Sequence, residues 1–289
     1  MKSILIIGYG KWARKILYFV KKNNLFKDIY IKTGSQNYIV INNHLKKINN
    51  LPKYQNIDLV HVCSPVSTHY KYLKIFSGHK NLIIEKPFLK NYNQFLLIKK
   101  KFPNKKRIVV NYIDLYNPLI NFLQKKIKSK CSKIIIEYSN TSSLFKKRYL
   151  CTEDWLEHPL SIILFLFKKF TKYKILKKTL LKIKNKYLEK VEIEYIFKKI
   201  KIIIRINLVN KKTRKIYFFN KEKLKFYADL KSNKIISNKK TIIDKSNVNN
   251  LFNVYHSTIR KNNNFFQSEV FYKKILKERI SIIKDLKND

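Results

Sequence analysis

Glycine is scarce in this sequence, with four in 289 residues, and cysteine is scarcer still, with three. Cys63, Cys131 and Cys151 are widely spaced and odd in number. That excludes a disulfide framework and a cysteine metal knuckle, and it suits a reducing compartment. No apolar run approaches the ~18 residues needed to cross a bilayer, so a spanning helix is excluded. The opening MKSILIIGYG has one lysine and an apolar stretch too short for a secretory signal. The expected location is cytoplasmic. No internal repeat is present.

Acidic residues are also few. There are 18 Asp and Glu against 64 Lys and Arg, a formal net charge of +46. A polyanionic partner, such as nucleic acid or an anionic membrane surface, is one reading of that imbalance. The other is a composition rich in lysine, asparagine and isoleucine together. The basic residues run along the whole chain rather than in one arm, which favours the second. Either way the field draws anionic ligands and responds to salt. Hydrophobic residues make up 45%, and the length is enough for two domains and a substantial core.

Pattern divides the chain near residue 115. Ser3–Ile7 is a short apolar run ended by Gly8, which predicts a buried strand. Trp12, Ile16 and Phe19 then recur at helical spacing. Further strands are expected at 29–31, from Ile57 to Pro65, at Asn81–Ile84 and at 107–112. Helices are expected at 69–76 and 93–102. Strands alternating with helices predict a doubly wound parallel sheet covered on both faces, over residues 1–115. Residues 116–289 read as an α+β domain. Val191, Ile193, Tyr195 and Phe197 alternate with neighbours including Glu192 and Glu194, and Ile200 to Leu208 repeats the pattern. Period two predicts long, half-exposed, mostly antiparallel strands in an open sheet. Leu224 to Ala228 suggests one more, and a helix containing Phe271, Ile275, Ile282 and Leu286 closes the chain. Residues 172–190 fit either a basic amphipathic helix lying on a membrane or another strand.

Two of the four glycines stand in Gly8-Tyr9-Gly10-Lys11-Trp12-Ala13, at the first strand-to-helix junction. The first permits a tight turn and the second lets backbone approach a pyrophosphate. Ala13 allows close helix–strand packing. Free N–H groups and the helix dipole then face the anion. A carboxylate for the ribose belongs about 20 residues on. Here the second strand ends Ile31-Lys32-Thr33-Gly34-Ser35, and Asp28 comes too early. Lys32, Thr33 and Ser35 suit a 2′-phosphate, favouring NADP over NAD.

Four matches, in order, resemble the glucose–fructose oxidoreductase / inositol dehydrogenase (Gfo/Idh/MocA) family. They are the glycine turn just quoted, Cys63-Ser64-Pro65-Val66-Ser67-Thr68-His69, the strand GHKNLIIEKP from Gly78 to Pro87, and Asp154-Trp155-Leu156-Glu157-His158. The resemblance is dense over the first half and sparse over the second. It implies a Rossmann domain holding NAD or NADP through Gly8, Gly10, Lys11, Trp12, Ala13, Thr33, Ser35, Ser64, Pro65, His69, Glu85 and Lys86. His69 either lines the cofactor cleft or simply starts a helix. By the same resemblance Lys86 lies beside the nicotinamide and handles the substrate oxygen. Glu85 orients the strand end and Pro87 fixes its backbone. His158 is the second acid–base group, and Asp154 binds a substrate hydroxyl or orients that histidine. Pro159 predicts a helix beginning there, with His158 in the preceding turn. Ser161 stands where many members have a second acid. Tyr112 and Asp114 are expected to edge the substrate cleft, while His44, His61, His79 and His256 receive no role. No metal is expected. The implied reaction is hydride transfer between a secondary alcohol and a ketone, or an imine, of a sugar, cyclitol or nucleotide-linked sugar. A second copy of the chain is expected to pair through the open sheet. The rivals are a non-catalytic dinucleotide binder and a basic binder of polyanions or membrane surfaces.

Overall fold

The structure, a computed structural model, describes residues 3–42, 44–76, 78–101, 107–127, 131–140, 151–183, 186–208, 212–246, 248–259 and 268–288. It divides into two compact units. One comprises Met1–Asn111 with Tyr255–Leu276, the other Tyr112–Val254 with Lys277–Asp289. The sequence reading assigns 255–276 to the second domain; in the structure this segment clusters with the first.

The first unit is built on β1 (Ser3–Ile7), buried along its length. The chain then enters α1 (Lys11–Lys22), which buries Ala13, Ile16, Leu17, Phe19 and Val20 as one helical stripe. Lys21 and Lys22 in its last turn complement the negative end of the helix dipole. β2 (Asp28–Thr33) follows, and here the structure departs from strict strand–helix alternation. Gly34, at φ 51°, and Ser35 make a two-residue turn, and the chain folds straight back as β3 (Gln36–Ile41) and β4 (His44–Ile48). Glycine at the first central position of such a turn matches the twist of a hairpin. Alternation then resumes with β5 (Leu59–Val62), α2 (Val66–Ile75), β6 (Asn81–Ile84), α3 (Tyr92–Lys101) and β7 (Arg107–Val110). Phe102, the expected last residue of α3, lies outside the described residues. The sheet order is β4-β3-β2-β1-β5-β6-β7, with the last five of these mutually parallel. β1 sits where the chain switches from one side of the sheet to the other, the usual location of a ligand crevice in such sheets.

The second unit begins with a 3-10 turn at Ile113–Tyr116 and α4 (Pro118–Ile127). Then come β8 (Lys133–Asn140), α5 (Cys151–Trp155), α6 (Glu157–Phe167), β9 (Tyr173–Ile183), β10 (Lys186–Phe197), β11 (Ile200–Leu208), β12 (Thr213–Asn220), β13 (Lys223–Asp229), β14 (Lys234–Ser237) and β15 (Lys240–Asp244). The eight strands lie in the order β15-β14-β13-β12-β8-β11-β10-β9, antiparallel except for β8 beside β11. Within the ambiguous segment 172–190 the structure has strand, β9 and the start of β10. One face carries Ile134, Ile136, Tyr138, Val191, Ile193, Tyr195, Ile202, Ile204, Ile206, Ile216 and Phe218, all buried. α6 packs against β8, and its residues from Glu157 to Phe165 are all buried. The chain ends with α7 (Asn250–Ile259) and α8 (Glu269–Asn288).

The opposite face holds a row of charge. Lys177, Glu192, Arg205, Glu137, Lys215, Asp229, Lys234 and Asp244 are register partners in sequence across all eight strands. The signs alternate without a break. Arg205 Nε lies 3.3 Å from Glu192 Oε1, and Lys234 Nζ 2.9 Å from Asp244 Oδ2. Each such pair is worth only about 0.2–1 kcal/mol. Together they specify register, since a one-residue slip would carry every member to the apolar face.

The glycine turn yields the first test. Gly8 has φ 99°, and a Cβ there would meet the backbone of Cys63 and Ser64 at 3.1 Å. Gly10 caps α1 at φ −70°, and a Cβ there would meet nothing within 4 Å. Gly8→Ala is expected to cost about 1–3 kcal/mol in urea unfolding, and Gly10→Ala only a few tenths. Equal losses would contradict this account.

Candidate functional site

In the first unit the predicted residues gather at the carboxyl ends of β1, β2, β5 and β6. The Gly8 N–H donates to the Lys32 carbonyl at 2.8 Å, and the Cys63 N–H to that of Ile7 at 2.8 Å. The glycine turn is thereby pinned between the ends of β2 and β5. Ala13 is fully buried, and the open space at Gly10 leaves the amino end of α1 bare of side chain. That is the cradle a pyrophosphate needs, so these residues fit a dinucleotide. Lys11 is exposed and Trp12 half-buried on the first turn of α1. Thr33 is half-buried and Ser35 exposed, in the hairpin turn; the Lys32 ammonium donates to Asn37 Oδ1 at 3.4 Å.

His69 is buried and braces two strand ends. Its Nε2 lies 2.8 Å from the Ser64 carbonyl, and its Nδ1 lies 3.0 Å from that of Pro87 and 3.1 Å from that of Phe88. It sets the turns that carry Ser64, Pro65 and Lys86 rather than presenting itself to a ligand. Lys86 is half-buried directly after β6, and the Lys86–Pro87 peptide is cis.

Glu85 is buried within a hydrogen-bonded chain that sequence reasoning missed. The Tyr255 hydroxyl lies 3.0 Å from His61 Nδ1, and His61 Nε2 lies 3.0 Å from Glu85 Oε1. Asn111 Nδ2 donates to the same oxygen at 2.6 Å. Burial alone would push the Glu85 carboxyl up, but these donors, His61 first, outweigh it and hold the group below the ordinary range. An ionised Glu85 fixes the direction of the chain: His61 donates to Glu85 and accepts from Tyr255. The Cys63 thiol completes a cluster whose donor atoms lie within 4.8 Å of one another. Burial, and then the Glu85 charge, push that thiol well up. One signal for His61 was available: a polar residue inside the otherwise apolar run LVHV.

In the second unit His158 lies inside α6, not in a turn before it. The helix begins at Glu157, so Pro159 falls in the first turn, where its missing N–H is one of the unpaired donors anyway. The buried Ser161 hydroxyl donates to the His158 carbonyl at 2.7 Å. His158 Nδ1 lies 2.8 Å from Asp114 Oδ2. The carboxylate beside the histidine is therefore Asp114, which the sequence reading set only at the cleft edge. Asp154, to which that reading gave either a substrate hydroxyl or the orienting of His158, stands half-buried on α5. The Tyr138 hydroxyl donates to Asp114 Oδ2 at 2.8 Å, and Arg214 Nη1 reaches Asp114 Oδ1 at 3.4 Å. Tyr138 stacks on the His158 ring with centroids 5.4 Å apart. Burial pushes the Asp114 carboxyl up, but the Arg214 and His158 charges and the hydrogen bonds from His158 and Tyr138 hold it well below the usual carboxylate range. Beside it Glu157, fully buried, lies 3.1 Å from Arg279 Nε and accepts from the Tyr112 hydroxyl at 3.2 Å. Tyr138, Arg214 and Arg279 carry no motif and come from distant strands and helices.

An Asp with a lowered folded-state pKa stabilises the fold above its unfolded value, 3.8, and loses that contribution as pH falls below it. Asp114→Asn is expected to cost about 3–5 kcal/mol at pH 7, because Arg214 loses its buried counter-charge. The difference from the parent should shrink as urea titrations move from pH 5 to about pH 3. Parallel curves over that range would remove Asp114 from the acid transition.

Comparison with known proteins follows the same division. Residues 2–112 match the family model described as "Oxidoreductase family, NAD-binding Rossmann fold". Among curated proteins no sequence match is found. Solved structures share the fold over nearly the whole chain. A dehydrogenase from Clostridium difficile is 17% identical, covering 98% of this chain and 99% of its own, with a TM-score of 0.73. A UDP-N-acetylglucosamine 3-dehydrogenase from Acidithiobacillus ferrooxidans is 12% identical, covering 97% and 96%, at 0.70. A myo-inositol dehydrogenase from Corynebacterium glutamicum is 10% identical, covering 98% and 96%, at 0.69. The sequence match to the oxidoreductase family model is thus confined to residues 2–112, the dinucleotide-binding part, and along the rest of the chain these solved structures share the fold alone.

Proposed function

We propose that the protein is a nicotinamide-dependent dehydrogenase or reductase acting on a secondary alcohol or ketone of a sugar, cyclitol or nucleotide-linked sugar. The buried Asp114–His158 pair carries this reading. An ionised Asp114 accepts from the Nδ1–H, keeping the proton there and leaving the lone pair on the other ring nitrogen. His158 then has the tautomer a general base needs, with its ring held by the stacked Tyr138. When bound, the nicotinamide supplies the hydride chemistry. Lys86 holds the substrate oxygen. His158 takes the hydroxyl proton in oxidation and returns it in reduction, and Asp154 binds a second hydroxyl. The dinucleotide is assigned to Gly8, Gly10, Lys11, Trp12, Ala13, Ser64 and Pro65. Lys32, Thr33 and Ser35 lie where a carboxylate would select the bare ribose, so NADP is the preferred form. A tenfold or greater preference for NAD in direct titration would overturn that choice.

Lys86→Met should lower turnover at least a hundredfold while cofactor affinity stays within about twofold. Retained turnover removes Lys86 from the reaction. Gly10→Ala should do the opposite, weakening dinucleotide binding with the fold intact.

We further infer that two copies pair through the charged face of the eight-stranded sheet. An even-numbered row of alternating sign is self-complementary: a two-fold axis across its middle sets every cation against an anion, with Glu137 opposite Lys215 of the second copy. Glu137→Lys should raise the dimer dissociation constant at least tenfold in sedimentation. A monomeric parent protein at micromolar concentration would defeat the inference.

A further inference from the structure

Seven of the 64 basic residues are arginine. Against a background where lysine supplies nearly all the positive charge, an arginine kept in a half-buried place points to its geometry rather than its charge. Arg214 is such a residue. It stands on β12 beside Tyr138 on β8, facing the apolar side of the sheet. Its guanidinium lies 5.9 Å from the centre of the Tyr138 ring and 6.0 Å from that of Trp155. Two aromatic faces thus hold it in one attitude.

Its pairing with Asp114 leaves most of that geometry unused. Only Nη1 reaches the carboxylate, at 3.4 Å, rather than the two-pronged contact the fork allows. Nε is buried and meets no acceptor among the described residues. A buried donor without a partner is costly, and a lysine would compensate Asp114 equally well. The side chain is 24% exposed, so a ligand can reach it. The exposed part of the fork is the part a ligand can meet, and the planar partner of a guanidinium is a pair of anionic oxygens.

We propose that Arg214 is the substrate's anchor, a fork that receives a carboxylate or phosphate carried by the hydroxy compound on which the Asp114–His158 pair acts. This rests on the dehydrogenase reading above and narrows it to anionic substrates. Arg214 is a specificity residue here; the proton steps remain with His158 and Lys86. The net charge of +46 attracts any anion, so the test must separate the fork from the field.

The experiment measures binding by calorimetry at near-physiological salt, independently of turnover. Its probes are glucose, glucuronate and glucose 6-phosphate, tested on the parent protein, Arg214→Gln, Arg214→Lys and Lys199→Gln. Lys199 is exposed in the turn between β10 and β11, outside the charged row, and its substitution removes the same charge. The parent should bind at least one anionic probe tenfold or more tighter than glucose. Arg214→Gln should weaken that probe by about 10- to 100-fold, and Arg214→Lys, which keeps the charge beside Asp114, should recover only part of it. Lys199→Gln should change little. Whether the lost probe is the glucuronate or the phosphate names the group. Equal effects of Arg214→Gln and Lys199→Gln, or no anionic preference in the parent, overturn the proposal. If the preference falls in Arg214→Gln while no sugar is turned over, the anchor stands and the dehydrogenase reading falls. If sugars are turned over while the preference is unaltered in Arg214→Gln, the anchor falls and the dehydrogenase reading stands.

Discussion

A buried carboxylate must be compensated where it lies, and this constraint shapes both units. Glu85, Asp114 and Glu157 are all shielded from water in a chain with few acids to spend. Glu85 has His61 and Asn111, Asp114 has His158, Tyr138 and Arg214, and Glu157 has Arg279 and Tyr112. Removing one partner strands the other, whereas replacing the whole set with apolar side chains would often be neutral. Such clusters are therefore weak evidence of stability and better evidence of a requirement for charge at that place. Two of the three adjoin residues given chemical roles: Glu85 precedes Lys86, and Glu157 precedes His158. The third is the partner of His158 itself.

The sequence was legible wherever information is local. β1, α1 and β6 follow from apolar runs and helical spacing, and the glycine turn from two glycines at one junction. β10 and β11 were readable because period two survives over 191–197 and 200–208. The hairpin of β3 and β4 was missed because neither strand has a buried residue and β4 is mostly polar, so no alternating stripe announces them. β15 and the lysine-rich parts of β12 and β13 failed for the same reason. The parallel placement of β8 beside β11 is a long-range fact that no periodicity encodes.

The site followed the same rule. The pattern Asp-x-x-x-His singles out His158 and, as its neighbour in sequence, Asp154; it carries no sign of Asp114. The carboxylate at Nδ1 comes from Asp114, 44 positions earlier, and its other compensating charge from Arg214, 100 positions later. Pro159 misled in a simpler way. The rule that the residue before proline leaves the helix is a bias, and the first turn of α6 overrides it because those N–H groups need no intrahelical partner.

This difference also explains why sequence comparison sees only residues 2–112. The first unit builds its dinucleotide cradle from backbone: a glycine that alone tolerates φ 99°, a bare helix end, and an alanine packed without clearance. Few residue types satisfy those positions, and they lie close together in the chain, so the demand leaves a readable motif. The second unit needs an apolar sheet face, a stacked ring and compensated charge. Many side chains meet each need, and the partners are scattered over a hundred positions. Its fold persists in structures only 10–17% identical to this chain because binary pattern is enough to maintain it. What distinguishes one protein of this fold from another is then free to reside in single substitutions on that sheet, where an arginine among lysines is conspicuous.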